Sequence, residues 1–232
     1  MKLRLLIFLF LNFIATTLVA QTIKSHSIIF HPVFNNSVIK SDMTYYKLSA
    51  NDSIQFETLK LYISGIELLN DDKAIWKEEN SFHLLDFTNE KSMQVVLQTP
   101  SGISFNKANF NLGIDSITNT SGAMGGDLDP TKGMYWTWQN GYINFKLEGK
   151  SNLCKTRNNE FQFHLGGYQY PFNTLQSVSL VVDMKDTIDI SINTESLITK
   201  IDLTKQNQIM SPGKEAVLLS KKASAMFSVQ QK

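Results

Sequence analysis

Apolar and polar residues alternate along SIQFETLKLYISGIELL, which runs from Ser53 to Leu69. A period of two residues is typical of a half-buried strand, because successive side chains of a strand point to opposite faces of its sheet. Gly65 interrupts the pattern, and a glycine inside a strand indicates a bulge or a kink. We therefore predict one long strand, or a pair of strands, with a kink at Gly65.

Short runs of the same kind, bounded by turn residues, occur on both sides of this segment. They predict an all-β fold, a β-sandwich of short antiparallel strands with long loops and little helix. Helix is expected only near Ser196 to Ile201 and Glu215 to Lys222. The further predicted strands are Ser27 to Phe34, Ser81 to Phe87, Gln94 to Leu97, Ser104 to Asn111, Phe161 to Leu165, Ser177 to Asp183 and Thr187 to Ile192.

The first twenty residues have the layout of a secretory signal peptide. Met1 to Arg4 is basic, Leu5 to Ala15 is apolar except for Asn12, and small residues close the segment at Ala20. A transmembrane helix needs about 20 apolar residues, and this run is shorter. We predict cleavage near Ala20, a mature chain of residues 21–232 folded as a single domain, no membrane span, and a periplasmic or secreted location.

The overall composition excludes some partners. There are 22 Lys plus Arg against 21 Asp plus Glu and no basic block, so nucleic acid is not an expected partner. Cys154 is the only cysteine, so no internal disulfide can form. Either Cys154 is a buried thiol, which we favour, or it is a soft copper ligand, which the lack of an adjacent histidine disfavours.

The block GDLDPTKGMYWTWQNGYINFKLEG, residues Gly126 to Gly149, combines a thioether and two indoles with a hairpin signal. Gln139-Asn140-Gly141 predicts the turn, since Asn-Gly is the strongest short-range hairpin signal. Alternation along the preceding strand puts Met134, Trp136 and Trp138 on one face. We therefore expect these three side chains to share a surface.

Two aspartates of the same block allow two interpretations. Asp127 and Asp129 could bind calcium together with loop carbonyls, but a turn-forming role beside Pro130 is favoured. The sequence contains no Gly-x-Ser-x-Gly elbow and no zinc-type spacing of cysteine or histidine. We therefore expect that the protein is not an enzyme.

Two histidines are candidates for a metal site. His164 lies in the predicted strand Phe161 to Leu165, where alternation points it away from the apolar face, and two glycines follow that strand. Its imidazole could bind a metal, although a lone histidine satisfied by a hydrogen bond is the more frequent situation. His31 alternates with Ile29 and Val33, so we expect it on an apolar face.

Five segments carry a resemblance to a known family: NLGIDS from Asn111 to Ser116, GDLDP from Gly126 to Pro130, GMYWTWQNGY from Gly133 to Tyr142, KLEG from Lys146 to Gly149 and FHLGG from Phe163 to Gly167. Together they resemble the MbnP-like copper-binding family of exported bacterial proteins. The resemblance implies a β-rich periplasmic domain of the methanobactin-associated type that binds copper. In some members a tryptophan is oxidised to kynurenine and joins histidine at the metal, and a di-haem MbnH-type oxidase is the partner.

Transferred position by position, the resemblance assigns His164, Trp136 and Trp138 to the copper site, and either tryptophan is a candidate for oxidation. Met134 is a candidate auxiliary ligand, since a thioether favours reduced copper. Copper sites of the family use more than one histidine, and no second histidine adjoins the tryptophans in the sequence. His31 is the most reachable substitute by strand position.

The leading expectation is an exported periplasmic protein that sequesters or delivers copper, through histidine and a tryptophan-derived kynurenine ligand. The alternative is a non-catalytic β-sandwich interaction module. It would bind a glycan or a protein through an aromatic platform made of Trp136, Trp138 and Tyr168.

Overall fold

The computed structural model describes residues 22–230, and the predicted signal peptide with its cleavage site lies outside these residues. Two mixed β-sheets make up most of this part of the chain, which confirms the all-β, sandwich-like fold. The strands are β1 (Ile23–Phe34), β2 (Ser37–Val38), β3 (Tyr45–Lys47), β4 (Ser53–Asn70), β5 (Lys73–Lys77), β6 (Phe82–Asp86), β7 (Gln94–Pro100), β8 (Lys107–Leu112), β9 (Tyr135–Trp136), β10 (Gly141–Ser151), β11 (Glu160–Gly166), β12 (Gln176–Val181), β13 (Thr187–Asn193), β14 (Gln208–Ile209) and β15 (Phe227–Val229).

Helices are few and short, as expected. The two predicted helices are present as α2 (Glu195–Ile198) and α3 (Lys214–Ala223), whereas α1 (Ser116–Thr120) was not predicted. Within residues 22–230, no helix is long and apolar enough to cross a membrane. Single turns of 3-10 helix occur at Glu90–Met93, Gly126–Leu128, Pro130–Lys132 and Ser224–Met226.

The five-stranded sheet is built around β1. Strands β15 and β13 lie on one side of β1, and β2 and β7 both pair with its other edge. β1 and β13 run parallel, from Ser27 opposite Thr187 to Val33 opposite Asn193. The prediction of antiparallel strands does not hold here, because alternation is the same in both kinds of ladder and carries no information on direction.

The ten-stranded sheet is built around β4, which changes partners along its length of 18 residues. The main strand order is β12-β8-β4-β10-β11-β14, with β3, β5 and β6 also pairing with β4 and β9 pairing with β10. The register between β4 and β8 shifts between Ser64 and Glu67. Gly65 lies in this bulge with a φ of 60°, so the predicted kink is confirmed.

The main hydrophobic core fills the space between the two sheets. Phe30 and Phe227 of the five-stranded sheet meet Phe110 of the ten-stranded sheet edge to face, with ring centroids 6.0 and 5.2 Å from that of Phe110. Fully burying one such side chain contributes about 1.5–3 kcal/mol. Cys154 also belongs to this core, and its burial raises the pKa of its thiol.

A second, smaller core lies on the outer face of the ten-stranded sheet. Leu61 and Ile63 of β4 belong to the main core, so alternation puts Tyr62 on the opposite face. The connection between β8 and β10 covers that face and contributes most of the other apolar side chains. We call this group the outer cluster, and its buried members are Tyr62, Leu84, Ile114, Leu128, Met134, Trp136, Tyr142 and Ile143.

Candidate functional site

The NLGIDS segment fixes the start of the connection that covers the outer face. Gly113 has a φ of 114°, and a Cβ there would lie 2.5 Å from Cγ of Asn144. The Asn144 amide accepts a hydrogen bond from the backbone N–H of Ile114 at 2.9 Å. Asp115 then accepts from the N–H of Thr118 at 2.8 Å and caps α1. Packing and capping together therefore explain this segment.

Asp127 of GDLDP joins the middle of the connection to the sheet. Its backbone oxygen accepts from the Tyr62 hydroxyl at 3.0 Å, and its carboxylate accepts from the Leu84 N–H at 3.1 Å and pairs with Lys132 at 2.6 Å. Asp129 accepts from the N–H of Thr131 at 2.8 Å, as a turn residue does. Both aspartates thus have structural partners, as the favoured turn-forming interpretation expects.

The predicted hairpin forms, but its first strand ends two residues early. Trp136 is opposite Gly141, and residues 137–140 make the turn. Trp136 is only 7% exposed and packs in the outer cluster with Met134, whereas Trp138 lies in the turn and is 63% exposed. The two indole centroids are 5.5 Å apart. The tryptophans therefore remain in contact, one inside the cluster and one outside it.

The indole of Trp136 lies against β11. A Cβ added at Gly166 would be 2.5 Å from Cζ3 of Trp136, so this glycine makes room for the ring. His164 precedes Gly166 by two residues on the same strand, and alternation therefore points its side chain to the same face. The Trp136 indole therefore packs on the face of β11 to which His164 points, two residues along the strand from it.

His164 is held by a carboxylate that the sequence did not single out. Its side chain is 8% exposed, and Nε2 lies 2.6 Å from Oε1 of Glu148, with Nζ of Lys146 3.6 Å from the same oxygen. The hydrogen bond with His164 lowers the pKa of Glu148 to about 2. Glu148 is therefore ionised at neutral pH. Since it contacts Nε2, Nδ1 is the ring nitrogen of His164 that could bind a metal.

The sequence alone does not identify Glu148 as the partner of His164, because their contact depends on strand register. Glu148 follows Lys146 by two residues, so alternation alone would have placed both on one face. Their proximity to His164 arises from the pairing of β10 with β11, in which Lys146 lies opposite His164. A polar loop joins these strands, so the sequence does not determine which residues lie opposite one another.

Lysines surround the histidine on neighbouring strands. Lys146 lies opposite His164 on one side and opposite Lys60 on the other. Lys60 is paired with Asp86 at 2.9 Å, and Lys146 approaches Glu148. These two carboxylates offset the two ammonium groups, so the surroundings of His164 contain no excess of negative charge that would attract a cation.

His31 lies elsewhere in the molecule. Its strand neighbour Phe30 points into the main core, so His31 points to the outer face of the five-stranded sheet, where Nε2 lies 2.9 Å from Asp189. The sequence predicted His31 on an apolar face. That face is the outer, half-exposed face of the sheet, because β1 has apolar residues on both of its faces. Packed sheets are about 10 Å apart. With the core between them, the structure does not bring His31 to His164.

The donor set near His164 is small. Among residues 22–230, no group of three or more His, Cys, Asp or Glu side chains is placed to hold a metal ion. His164 and Glu148 supply one imidazole and one carboxylate, and Met134 is fully buried in the outer cluster. Because Glu148 contacts Nε2 of the same ring, a copper ion bound at Nδ1 would have only the imidazole of this pair as a ligand and would need at least one further donor.

Fold and site together define a β-sandwich protein whose outer face carries a histidine–carboxylate pair beside a partly buried tryptophan pair. The MbnP family model matches residues 24–211. Since this range covers most of the sequence, the chain belongs to the MbnP family, which relates it to methanobactin and copper.

Among solved structures, the fold is similar to that of MbnP from Methylosinus trichosporium, with a TM-score of 0.61, 14% sequence identity and 83% of each chain covered. At this identity the likeness shows a shared fold and nothing about individual site residues. No curated protein matches the chain.

Proposed function

We propose that this protein binds copper as cargo on the outer face of its ten-stranded sheet and sequesters or delivers the metal. The observation that carries the proposal is that the Trp136 indole packs on Gly166, two residues along β11 from the buried His164. Membership of the MbnP family supports the choice of metal. Catalysis by this chain is not part of the proposal.

In this proposal Nδ1 of His164 binds the metal and Glu148 orients the ring. A carboxylate bonded to the second ring nitrogen fixes the imidazole and raises its basicity, as it does in many metal sites. Indole itself is a poor metal donor. Oxidation of Trp136 to kynurenine would supply an aniline-type nitrogen, and this is the additional donor that the site requires. Trp136 is preferred over Trp138 because it packs on the strand that carries His164.

The copper proposal is tested by titrating the purified mature chain with Cu(I) against a competing chelator. We expect His164→Ala to weaken binding at least about tenfold, which is about 1.4 kcal/mol. His31→Ala is the matched control, since it removes a histidine from the opposite sheet and should leave affinity unchanged. Full affinity in the His164 variant would refute the assigned ligand.

The kynurenine part of the proposal is tested by mass spectrometry on protein from its native host. The peptide that covers Met134 to Lys146 should show the mass change from tryptophan to kynurenine, and fragmentation should place it at residue 136. We propose a di-haem oxidase as the source of oxidising equivalents. An unmodified Trp136 in copper-loaded native protein would contradict this part alone.

Export is proposed on the basis of the N-terminal sequence. Secreted or periplasmic protein should begin at or near Gln21 when its N-terminus is sequenced. Recovery of the uncleaved chain from the cytoplasm would contradict this location, without bearing on the metal site.

The aromatic-platform alternative keeps only part of its proposed surface. Trp136 is buried and cannot stack on a ligand, whereas Trp138 is largely exposed and Tyr168 is half-buried. A platform would therefore lack its central ring, and for this reason the copper function is preferred.

A further inference from the structure

Met210 is an exposed methionine at the edge of the ten-stranded sheet. It directly follows β14, and its side chain is 37% exposed, whereas its neighbour Ile209 is buried in the main core. Successive residues of an extended chain point to opposite faces of the sheet. Met210 therefore points to the outer face, which is also the face on which His164 lies.

The pairing of β14 with β11 places Met210 beside His164. The two strands run parallel, and Phe163 lies opposite Ile209. When this register is continued by one residue on each strand, Met210 lies opposite His164. Neighbouring strands are about 4.7–4.9 Å apart, so the two side chains start from adjacent backbone positions on the same face.

Contacts on either side of Met210 support this placement. Before it, Nε2 of Gln208 lies 3.5 Å from Oε1 of Gln162. After it, a Cβ added at Gly167 would lie 3.1 Å from Cβ of Pro212. Since the chain follows β11 both before and after Met210, the methionine lies alongside the middle of that strand.

Glu148 and Met210 approach His164 from different sides. Glu148 contacts Nε2 of the imidazole from β10, and β14 lies on the other side of β11. Methionine has three rotatable side-chain bonds, so its sulfur can adapt its position to a neighbouring group. The thioether can therefore join the imidazole at a metal without displacing the carboxylate.

Met210 is better placed to be a ligand than Met134, the methionine that the sequence favoured. Met134 is fully buried among the apolar side chains of the outer cluster. Met210 is open to solvent and lies on the strand segment next to His164. A metal ion that arrives from solvent can reach Met210 without a rearrangement of the cluster.

We propose that Met210 is a copper ligand, which supplies its thioether beside Nδ1 of His164 and gives the site a preference for Cu(I). This inference rests on the proposed copper function and names a donor that is present before any tryptophan is oxidised. Imidazole suits copper in general, whereas a thioether is a soft ligand that selects Cu(I). The pair of donors therefore determines which oxidation state is held more tightly.

The test compares titrations of the purified mature chain and of Met210→Leu with Cu(I) and with Cu(II), each against a competing chelator. Leucine has a similar volume and lacks the sulfur, so the fold should be retained. We expect Cu(I) binding to weaken at least about tenfold and Cu(II) binding to change less than about twofold. A tenfold loss confined to Cu(I) lowers the reduction potential of the bound copper by about 59 mV.

Met184→Leu is the matched control. Met184 is 50% exposed and precedes Lys185, whose backbone oxygen lies 3.0 Å from Nδ1 of His26 on β1, in the other sheet. Its Cu(I) affinity should equal that of the unaltered chain. Equal Cu(I) affinity in Met210→Leu and the unaltered chain would overturn the inference.

Two further comparisons separate failure of this inference from failure of the copper function. If His164→Ala weakens Cu(I) binding and Met210→Leu does not, the copper function stands and Met210 is not a ligand. If neither substitution weakens binding, both proposals fail.

NMR spectra of protein with isotopically labelled methionine methyl groups report on the sulfur directly. Cu(I) should shift the methyl signal that is missing from the spectrum of Met210→Leu, and this shift should be lost in His164→Ala. A shift of the Met210 signal that survives in His164→Ala would show that the two side chains do not bind the same ion, and would overturn the inference.

Discussion

Gly166 is the residue at which the outer cluster and the ten-stranded sheet touch. A Cβ at this position would lie 2.5 Å from the Trp136 ring and 2.7 Å from the backbone oxygen of Tyr142. The indole can tilt away, but the backbone oxygen belongs to a paired strand and cannot easily shift.

We expect Gly166→Ala to lower the free energy of unfolding by about 1–3 kcal/mol, the usual cost of overpacking a core. The measurement is urea denaturation followed by tryptophan fluorescence. Gly125→Ala is the control, since a Cβ there meets no atom within 4 Å and φ is −95°. An unchanged unfolding free energy for Gly166→Ala would mean that the indole does not rest on this glycine.

Because of Glu148, we expect the stability of the protein to depend on pH in the acidic range. Its folded-state pKa of about 2 lies below the ordinary value of 4.5 because it accepts a hydrogen bond from His164. A carboxyl whose pKa is lowered on folding stabilises the protein fully above its unfolded pKa and loses that effect as the pH falls toward its folded pKa.

We therefore expect Glu148→Gln to lower the free energy of unfolding by about 2 kcal/mol at pH 7. This value allows for partial screening of the carboxylate by solvent. The difference from the unaltered chain should shrink below about pH 4.5 and vanish near pH 2. Denaturation curves at several pH values measure it. A difference that is independent of pH would show that the carboxylate is not ionised against His164.

The placement of individual side chains was partly predictable from the sequence. Alternation placed His164 on the face away from the main core, because strand geometry alone decides this. Alternation could not identify Glu148 as its partner, since strand register depends on the whole sheet. It also missed that Trp138 leaves the strand, because the four-residue turn begins earlier than the Asn-Gly signal indicated.

The connection between β8 and β10 is the element that shapes the site. It consists of α1, two turns of 3-10 helix and β9, and it packs on Tyr62 and Leu84 of the sheet. Polar contacts attach it along its length, and those of Asp127 join the middle of the connection to both β4 and β6.

We expect Asp127→Ala to lower stability by about 1–3 kcal/mol, because the buried Leu84 N–H loses its acceptor. Near-ultraviolet circular dichroism should report loosening around Trp136. Asp72→Ala is the control: that carboxylate also pairs with a lysine at 2.6 Å but is 95% exposed, so little change is expected. Equal effects of the two substitutions would contradict the anchoring role.

The sequence predicted individual strands and turns better than it predicted how they pack against one another. The hairpin and the Gly65 kink are local features that follow from turn chemistry and backbone freedom. The placement of a polar connection over the outer face is not local, because it depends on Tyr62, which the alternating pattern does not distinguish from an exposed strand residue.

The two sheets share one core, so they should unfold together. Phe110 is one point of contact between them, since its ring touches Phe30 and Phe227 of the other sheet. We expect Phe110→Ala to lower the free energy of unfolding by about 3–5 kcal/mol. Val181→Ala is the control: the position is 77% exposed, so the free energy of unfolding should change by less than about 0.5 kcal/mol.

Circular dichroism and tryptophan fluorescence should give coincident transitions for the unaltered chain. Two separate transitions would mean that the sheets are independent units, and then Phe110→Ala should affect only one of them.

The parallel pairing of β1 with β13 has a consequence for how the chain is made. The ribosome completes β1 first, yet its parallel partner β13 begins only at Thr187. Contacts between residues so far apart in sequence slow folding. Until then one edge of β1 is open to other chains. Translation products that stop before residue 187 should therefore aggregate, however complete the rest of their sheets.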